Sequence, residues 1–157
     1  MKTKMTRRDA RRHAFNLIFQ LPFHIGFNTE VLAETKATYF EFLANNDEEN
    51  LSARPTGKYA EYIDRAVWGV FDRQNEIDQV ISNFLREWTI DRINKVDLAL
   101  MRLSVYEMLC EEDVPLGVSV NEAVELAKEY GADESPSFIN GVLGNVSREI
   151  KAKRENL

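Results

Sequence analysis

Asp91-Arg-Ile-Asn-Lys-Val-Asp-Leu-Ala-Leu-Met-Arg-Leu-Ser-Val-Tyr-Glu-Met-Leu-Cys110 is the stretch whose reading decides the fold. Ile93, Val96, Leu100 and Leu103 recur at helical spacing, and Leu98, Met101, Val105 and Met108 make a second stripe. A helix that is apolar on two sides belongs at the centre of a bundle. Toward the C-terminus, Glu111–Gly117 reads as a turn around Pro115. Ser119-Val120-Asn121-Glu122 reads as a capping box opening a sixth helix that ends at Gly131. Ser135-Pro136 then opens a seventh helix toward Lys153. Toward the N-terminus, a fourth helix is expected over about Glu76–Trp88, carrying Ile77, Val80, Ile81, Phe84 and Leu85. A third is expected over about Lys58–Asp72 and a second over Thr29 to about Leu43. Polar, acidic Asn45–Pro55 reads as a loop. Thr6 and Asp9 signal the start of a first helix with an apolar stripe of Ala10, Ala14, Leu17, Ile18 and Leu21, and Pro22 follows it. No alternating strand pattern interrupts this, so the expected fold is all-α, a bundle of about seven helices.

The chain has 157 residues, enough for one domain, 1–157, with a core that needs no metal or disulfide. A single cysteine, Cys110, excludes an internal disulfide, and two histidines, His13 and His24, are too few for a His-rich ligand set. No apolar run reaches membrane-span length, and the basic N-terminus lacks a signal-peptide core, so a cytoplasmic protein is expected. Phosphate loops, dinucleotide turns and nucleophile elbows are absent from the sequence. No catalytic residue, metal or cofactor is therefore expected.

Net charge is −6, but it is unevenly spread. Met1–Arg12 holds six bases against one acid, net +5; the remainder holds 14 bases and 25 acids, net −11. Arg7, Arg8, Arg11 and Arg12 stand at i, i+1, i+4 and i+5 on the first helix. Cations at a helix N-terminus oppose its dipole, so four arginines there point to a purpose other than stability. Guanidinium groups match phosphates and stack on bases, which makes nucleic-acid contact the functional reading and a solvated face the bland one. His13, among these arginines, reads as a boundary residue or a base-stacking one. Gly141 and Gly144 lie three apart in the seventh helix, a pattern that fits close helix packing at Gly141 and room for a ligand at Gly144. Nine acids between Glu107 and Glu134 against one base, Lys128, read as a solvated face that could also attract a basic protein.

Thr6-Arg7-Arg8-x-Ala10-Arg11-x-x-Ala14 resembles the arginine-rich opening of the NusB transcription antitermination factors. Met101–Met108 is similar to their Leu-Arg-x-Ala-x-Tyr-Glu-Leu segment, with Ser104 in place of a usual alanine. Val114–Lys128 resembles their most diagnostic stretch and Phe138–Leu143 their closing motif; Asn28–Thr56 matches least. The resemblance implies two small helical subdomains, no catalysis and no cofactor. It implies binding of single-stranded boxA RNA together with the small-subunit ribosomal protein NusE. It also implies promotion of processive transcription of ribosomal RNA operons, through other Nus factors on the elongating RNA polymerase. Lys4, Thr6, Arg7, Arg8, Arg11 and Arg12 are the expected RNA contacts. Phe19, Phe84 and Glu107 are expected at the partner surface by resemblance, and Glu111 and Glu112 by charge. A helical protein-interaction module without RNA affinity remains the alternative reading.

Overall fold

The computed structural model describes residues 4–21, 28–46 and 54–156. These residues form seven α-helices, α1 Arg7–Gln20, α2 Thr29–Asn46, α3 Gly57–Asp72, α4 Gln74–Ser82, α5 Lys95–Cys110, α6 Leu116–Tyr130 and α7 Ser135–Glu155, with a 3-10 turn at Ile90–Arg92. No strand occurs among them, as the helical periodicity predicts. The Pro22 stop and most of the Asn45–Pro55 loop lie outside the described residues.

The chain divides into two compact units, residues 1–68 and 69–157, with the boundary inside α3. In the first unit the α1 stripe of Ala10, Ala14, Leu17 and Ile18 is buried, as are Leu32, Tyr39, Phe40 and Leu43 of α2 and Ile63, Ala66 and Val67 of α3. Full burial of each large aliphatic side chain contributes about 1.5–3 kcal/mol. Asn28 Oδ1 accepts from Val31 N–H at 3.0 Å and caps α2. Lys36 of α2 pairs with Asp64 of α3 at 2.6 Å. Gly57 opens α3 at φ 59°, a left-handed conformation that an L side chain resists.

In the second unit α5 is central, packing on α4, α6 and α7. Its two stripes explain this: Leu100 and Leu103 of one and Met101, Val105 and Met108 of the other are buried. Arg102 reaches α4 with two parallel bonds to Asp78, each 2.8 Å. Arg154 of α7 donates to the Met108 carbonyl at 2.6 Å, satisfying an orphan acceptor near the end of α5.

Three boundaries differ from expectation. The fourth helix stops at Ser82 rather than near Trp88, because Phe84 and Leu85 N–H turn to the carbonyls three residues back, at 3.0 and 3.2 Å. Trp88 consequently lies beyond the helix, 56% exposed. The fifth begins at Lys95, with Asn94 Oδ1 accepting from Val96 N–H at 2.8 Å; the 3-10 turn occupies what reads as its first turn. The sixth starts at Leu116, directly after Pro115, so Ser119 is inside the helix and caps nothing. Its hydroxyl turns inward and donates to Glu107 at 3.1 Å.

Candidate nucleic-acid interface

The start of α1 is built by a reciprocal cap. Thr6 is extended at φ −105°, ψ 168°, and its Oγ1 accepts from Asp9 N–H at 3.1 Å. Asp9 Oδ2 accepts in return from Thr6 N–H at 2.9 Å, which satisfies two backbone donors that a helix start otherwise leaves open. This box sets where the basic residues stand. Lys4, Thr6 and Arg7 are exposed, and Arg8 and Arg12 are half-buried. Asp9 Oδ1 accepts from Arg12 Nη1 at 2.8 Å.

Arg11 departs from the expected face. It is 6% exposed, because positions 11, 14, 15 and 18 form one helical row and Ala14, Phe15 and Ile18 are all core. The exposed basic residues are therefore Lys4 and Arg7, with half-buried Arg8 next to them and Arg12 beside Asp9.

His13 is not a boundary residue: it is fully buried. Its Nδ1 lies 2.9 Å from Tyr39 Oη, and its ring packs at 5.2 Å against Phe40. Burial lowers its pKa from 6.5 to about 4; the nearby Asp9 charge raises it and Arg12 lowers it. The imidazole is thus neutral, and it fastens the basic end of α1 to α2. Its Nε2 has no hydrogen-bond partner among the described residues. A base-stacking role for His13 does not fit this burial.

The expected partner residues are distributed differently. Phe19, in the first unit, is 47% exposed, with its ring 6.2 Å from Phe15. In the second unit Phe84 is half-buried in the turn after α4, and Glu112 is exposed. Glu107 is only 1% exposed and accepts from Ser119, while Glu111 is 9% exposed and accepts from Tyr106 Oη at 2.8 Å. These two carboxylates are interior acceptors rather than surface charges: Ser119 of α6 donates to Glu107 of α5, and Tyr106 of α5 donates to Glu111 in the turn that follows. The exposed acids of this stretch are Glu112, Asp113, Glu129, Asp133 and Glu134.

The glycines also change places. A Cβ on Gly141 would meet nothing within 4 Å, so the close packing expected there is absent; a Cβ on Gly144 would meet only the Arg148 guanidinium, at 3.6 Å or more. A close helix-to-helix approach occurs instead at Gly69, under the Tyr106 ring. No sequence periodicity marks it, since the contact joins α3 and α5 across 37 positions. No cluster of metal-binding side chains occurs among the described residues, and no described helix is long and apolar enough to cross a membrane. The Cys110 thiol pKa is pushed up by burial, which makes it a poor nucleophile.

Residues 8–148 match the profile of the NusB family. The transcription antitermination protein NusB of Acetivibrio thermocellus is 44% identical over 142 residues, spanning 90% of this chain and 88% of that protein. Among solved structures, NusB of T. maritima superposes with a TM-score of 0.74 at 32% identity, spanning 94% of each chain. A crystal structure of the antitermination factors NusB and NusE in complex with double-stranded RNA has a TM-score of 0.71 at 23% identity, over 91% of this chain and 96% of that one, a likeness of fold.

Proposed function

Since this chain belongs to the NusB family of transcription antitermination factors, RNA-binding proteins that are not enzymes, we propose that it binds single-stranded boxA-type RNA jointly with the ribosomal protein NusE. The two units act as one functional domain, 1–157. The composite complex joins elongating RNA polymerase through other Nus factors, in the cytoplasm, and promotes processive transcription of ribosomal RNA operons. The observation that carries this reading is the capped, cationic start of α1, with Lys4, Thr6 and Arg7 exposed and Arg8 beside them. A helix end this basic is electrostatically unfavourable for the fold alone and suits a polyanion. A fold-mate is known bound to both NusE and RNA, which agrees with a composite surface.

The basic end is small and has no sheet of stacking aromatics, so the chain alone should bind boxA-type RNA weakly and gain affinity with NusE. Phe19 and Phe84 are the apolar candidates for partner contact, and Glu112 a charged one. Titration of labelled boxA-type RNA, with and without NusE, tests the reading. Arg7→Ala with Arg8→Ala should weaken binding while helicity is unchanged. RNA affinity unaltered in that double variant removes the proposed interface.

A further inference from the structure

In the first unit, α2 and the start of α3 border a half-open pocket of about 210 Å³. Lys36 and Phe40, four apart on α2, line one side; Ala60, Ile63 and Asp64, on one face of α3, line the other. Arg54 and Pro55, just ahead of α3, complete it. The local sequence sets this up. Pro55 steers Arg54 away from helical backbone and is itself buried, and left-handed Gly57 then turns the chain into α3.

The floor is apolar, since Phe40 is 8% exposed and Ile63 2%. The charges around it are held differently. Lys36 Nζ lies 2.6 Å from Asp64 Oδ1, with both side chains partly open to solvent. Arg54 lies over the Phe40 ring, 5.9 Å from guanidinium carbon to ring centre, and no carboxylate pairs with it among the described residues. Stacking orients the guanidinium and leaves its in-plane N–H donors unused. No acid stands in the first turn of α3, so the positive end of that helix is not offset there.

Two cations against one acid leave a single positive charge on a pocket with an apolar floor. That combination suits a monoanion with an apolar body. Inorganic phosphate is a poor fit, because Asp64 repels a second charge and phosphate has nothing apolar to bury. An RNA backbone is also a poor fit, because its neighbouring phosphates and sugars bring more charge and bulk. An apolar cavity of about 150 Å³ admits a benzene ring, so this pocket has room for a ring-sized body bearing a carboxylate. We propose that the pocket is a binding site for a small carboxylate with an apolar body. Arg54 takes the carboxylate, Phe40 and Ile63 take the body, and Asp64, by holding Lys36, keeps the site selective for a single charge. Nothing in this site depends on RNA binding by the chain, so either reading stands or falls without the other.

Benzoate is the probe, with uncharged benzamide and inorganic phosphate as controls. Titration of the full, nitrogen-15-labelled chain near neutral pH should move the amide signals of Phe40, Arg54 and Ala60 saturably with benzoate, and little with either control. Arg54→Gln removes the charge of an exposed side chain and should weaken benzoate about fivefold, the upper range for a solvent-screened ion pair. Ala60→Leu fills the pocket with every charge kept and should abolish the shifts. Asp64→Asn frees Lys36; it should tighten benzoate about threefold and let phosphate compete.

Benzoate that moves these signals without saturation, or not at all, overturns the proposal. Benzoate binding equalled by benzamide, or unchanged by Arg54→Gln, does so too. A folded Ala60→Leu chain that binds benzoate like the wild type also overturns it. If Ala60→Leu does not fold, Arg54→Gln decides alone. Should Arg54→Gln weaken RNA binding while benzoate never binds, Arg54 belongs to RNA and the carboxylate site is refuted.

Discussion

Alanine at two glycines should change stability in opposite directions. Gly141 sits well inside the 21-residue α7, exposed, with nothing within 4 Å of a built Cβ. Replacing it removes a helix-interior glycine at no steric cost and should stabilise the chain by up to about 1 kcal/mol. For a domain of this size that raises the Tm by roughly 2–4 °C. Gly69 is different. Its Cβ would lie 2.5 Å from Tyr106 Cδ2 and closer still to Cε2, and Tyr106 is 4% exposed with its hydroxyl bonded to Glu111. The ring is buried and tethered, so it has little freedom to give way. Overpacking costs about 1–3 kcal/mol and offsets a propensity gain of at most about 1. Displacing the ring also threatens a charge-assisted hydrogen bond worth about 1.5–3 kcal/mol. The net expectation for Gly69→Ala is a loss of about 1 kcal/mol, rising to about 2.5–4 if the tyrosine bond breaks. Urea unfolding followed by circular dichroism measures both variants. Adding Tyr106→Phe separates the parts, since it should cost less in the Gly69→Ala background than in the wild type. A Gly69→Ala protein as stable as the wild type refutes the packing argument.

Three further outcomes follow from the same geometry. His13, with its pKa lowered to about 4 against 6.5 when unfolded, favours the native state in its neutral form. That stability is fully present above about pH 6.5 and is lost as pH falls toward 4, by about 2 kcal/mol at pH 5; urea melts at pH 7 and 5 should show the loss, and His13→Phe should reduce it. With Arg11 buried and Arg12 paired to Asp9, the wild-type salt slope for single-stranded RNA should be roughly −2, from about −0.7 for each of Lys4, Arg7 and Arg8. A slope near zero in a binding titration is incompatible with a phosphate-contacting α1. Exposed Glu112→Lys should slow association with NusE several-fold at low salt and much less at high salt, by stopped flow, with folding intact. Glu111→Lys should instead destabilise the fold by removing the acceptor of a buried tyrosine.

The helical class and the order of elements are legible because their signals are local or periodic. The Thr6–Asp9 box is written in four consecutive residues, and the stripes of α5 repeat every three to four. The failures occur where side-chain placement or local hydrogen-bond geometry decides. Ser119-Val120-Asn121-Glu122 has the composition of a cap, yet Glu107 draws Ser119 inward while Pro115 starts the helix earlier. Glu107 and Glu111 look like surface acids until their hydroxyl donors, Ser119 and Tyr106, are placed. Phe84 and Leu85 prolong the apolar period of α4 past the point where its hydrogen bonds tighten, and neither glycine nor proline marks that end. At the site, the cluster of arginines is legible, but the burial of Arg11 requires knowing which row of α1 faces the core. Asp9 reads as a cap from sequence; its hold on Arg12 requires the side-chain geometry.

The cap on α1 and the His13–Tyr39 bond leave Arg7, Arg8 and Arg12 on a formed helix before any ligand arrives. Arginine-rich segments that fold on contact give up chain entropy of about 1–2 kcal/mol per ordered residue at that moment. This one has already done so during folding. Its encounter with RNA is therefore close to rigid docking on the protein side. The heat-capacity change of binding should carry no contribution from helix formation in the protein, and any ordering should come from the RNA strand.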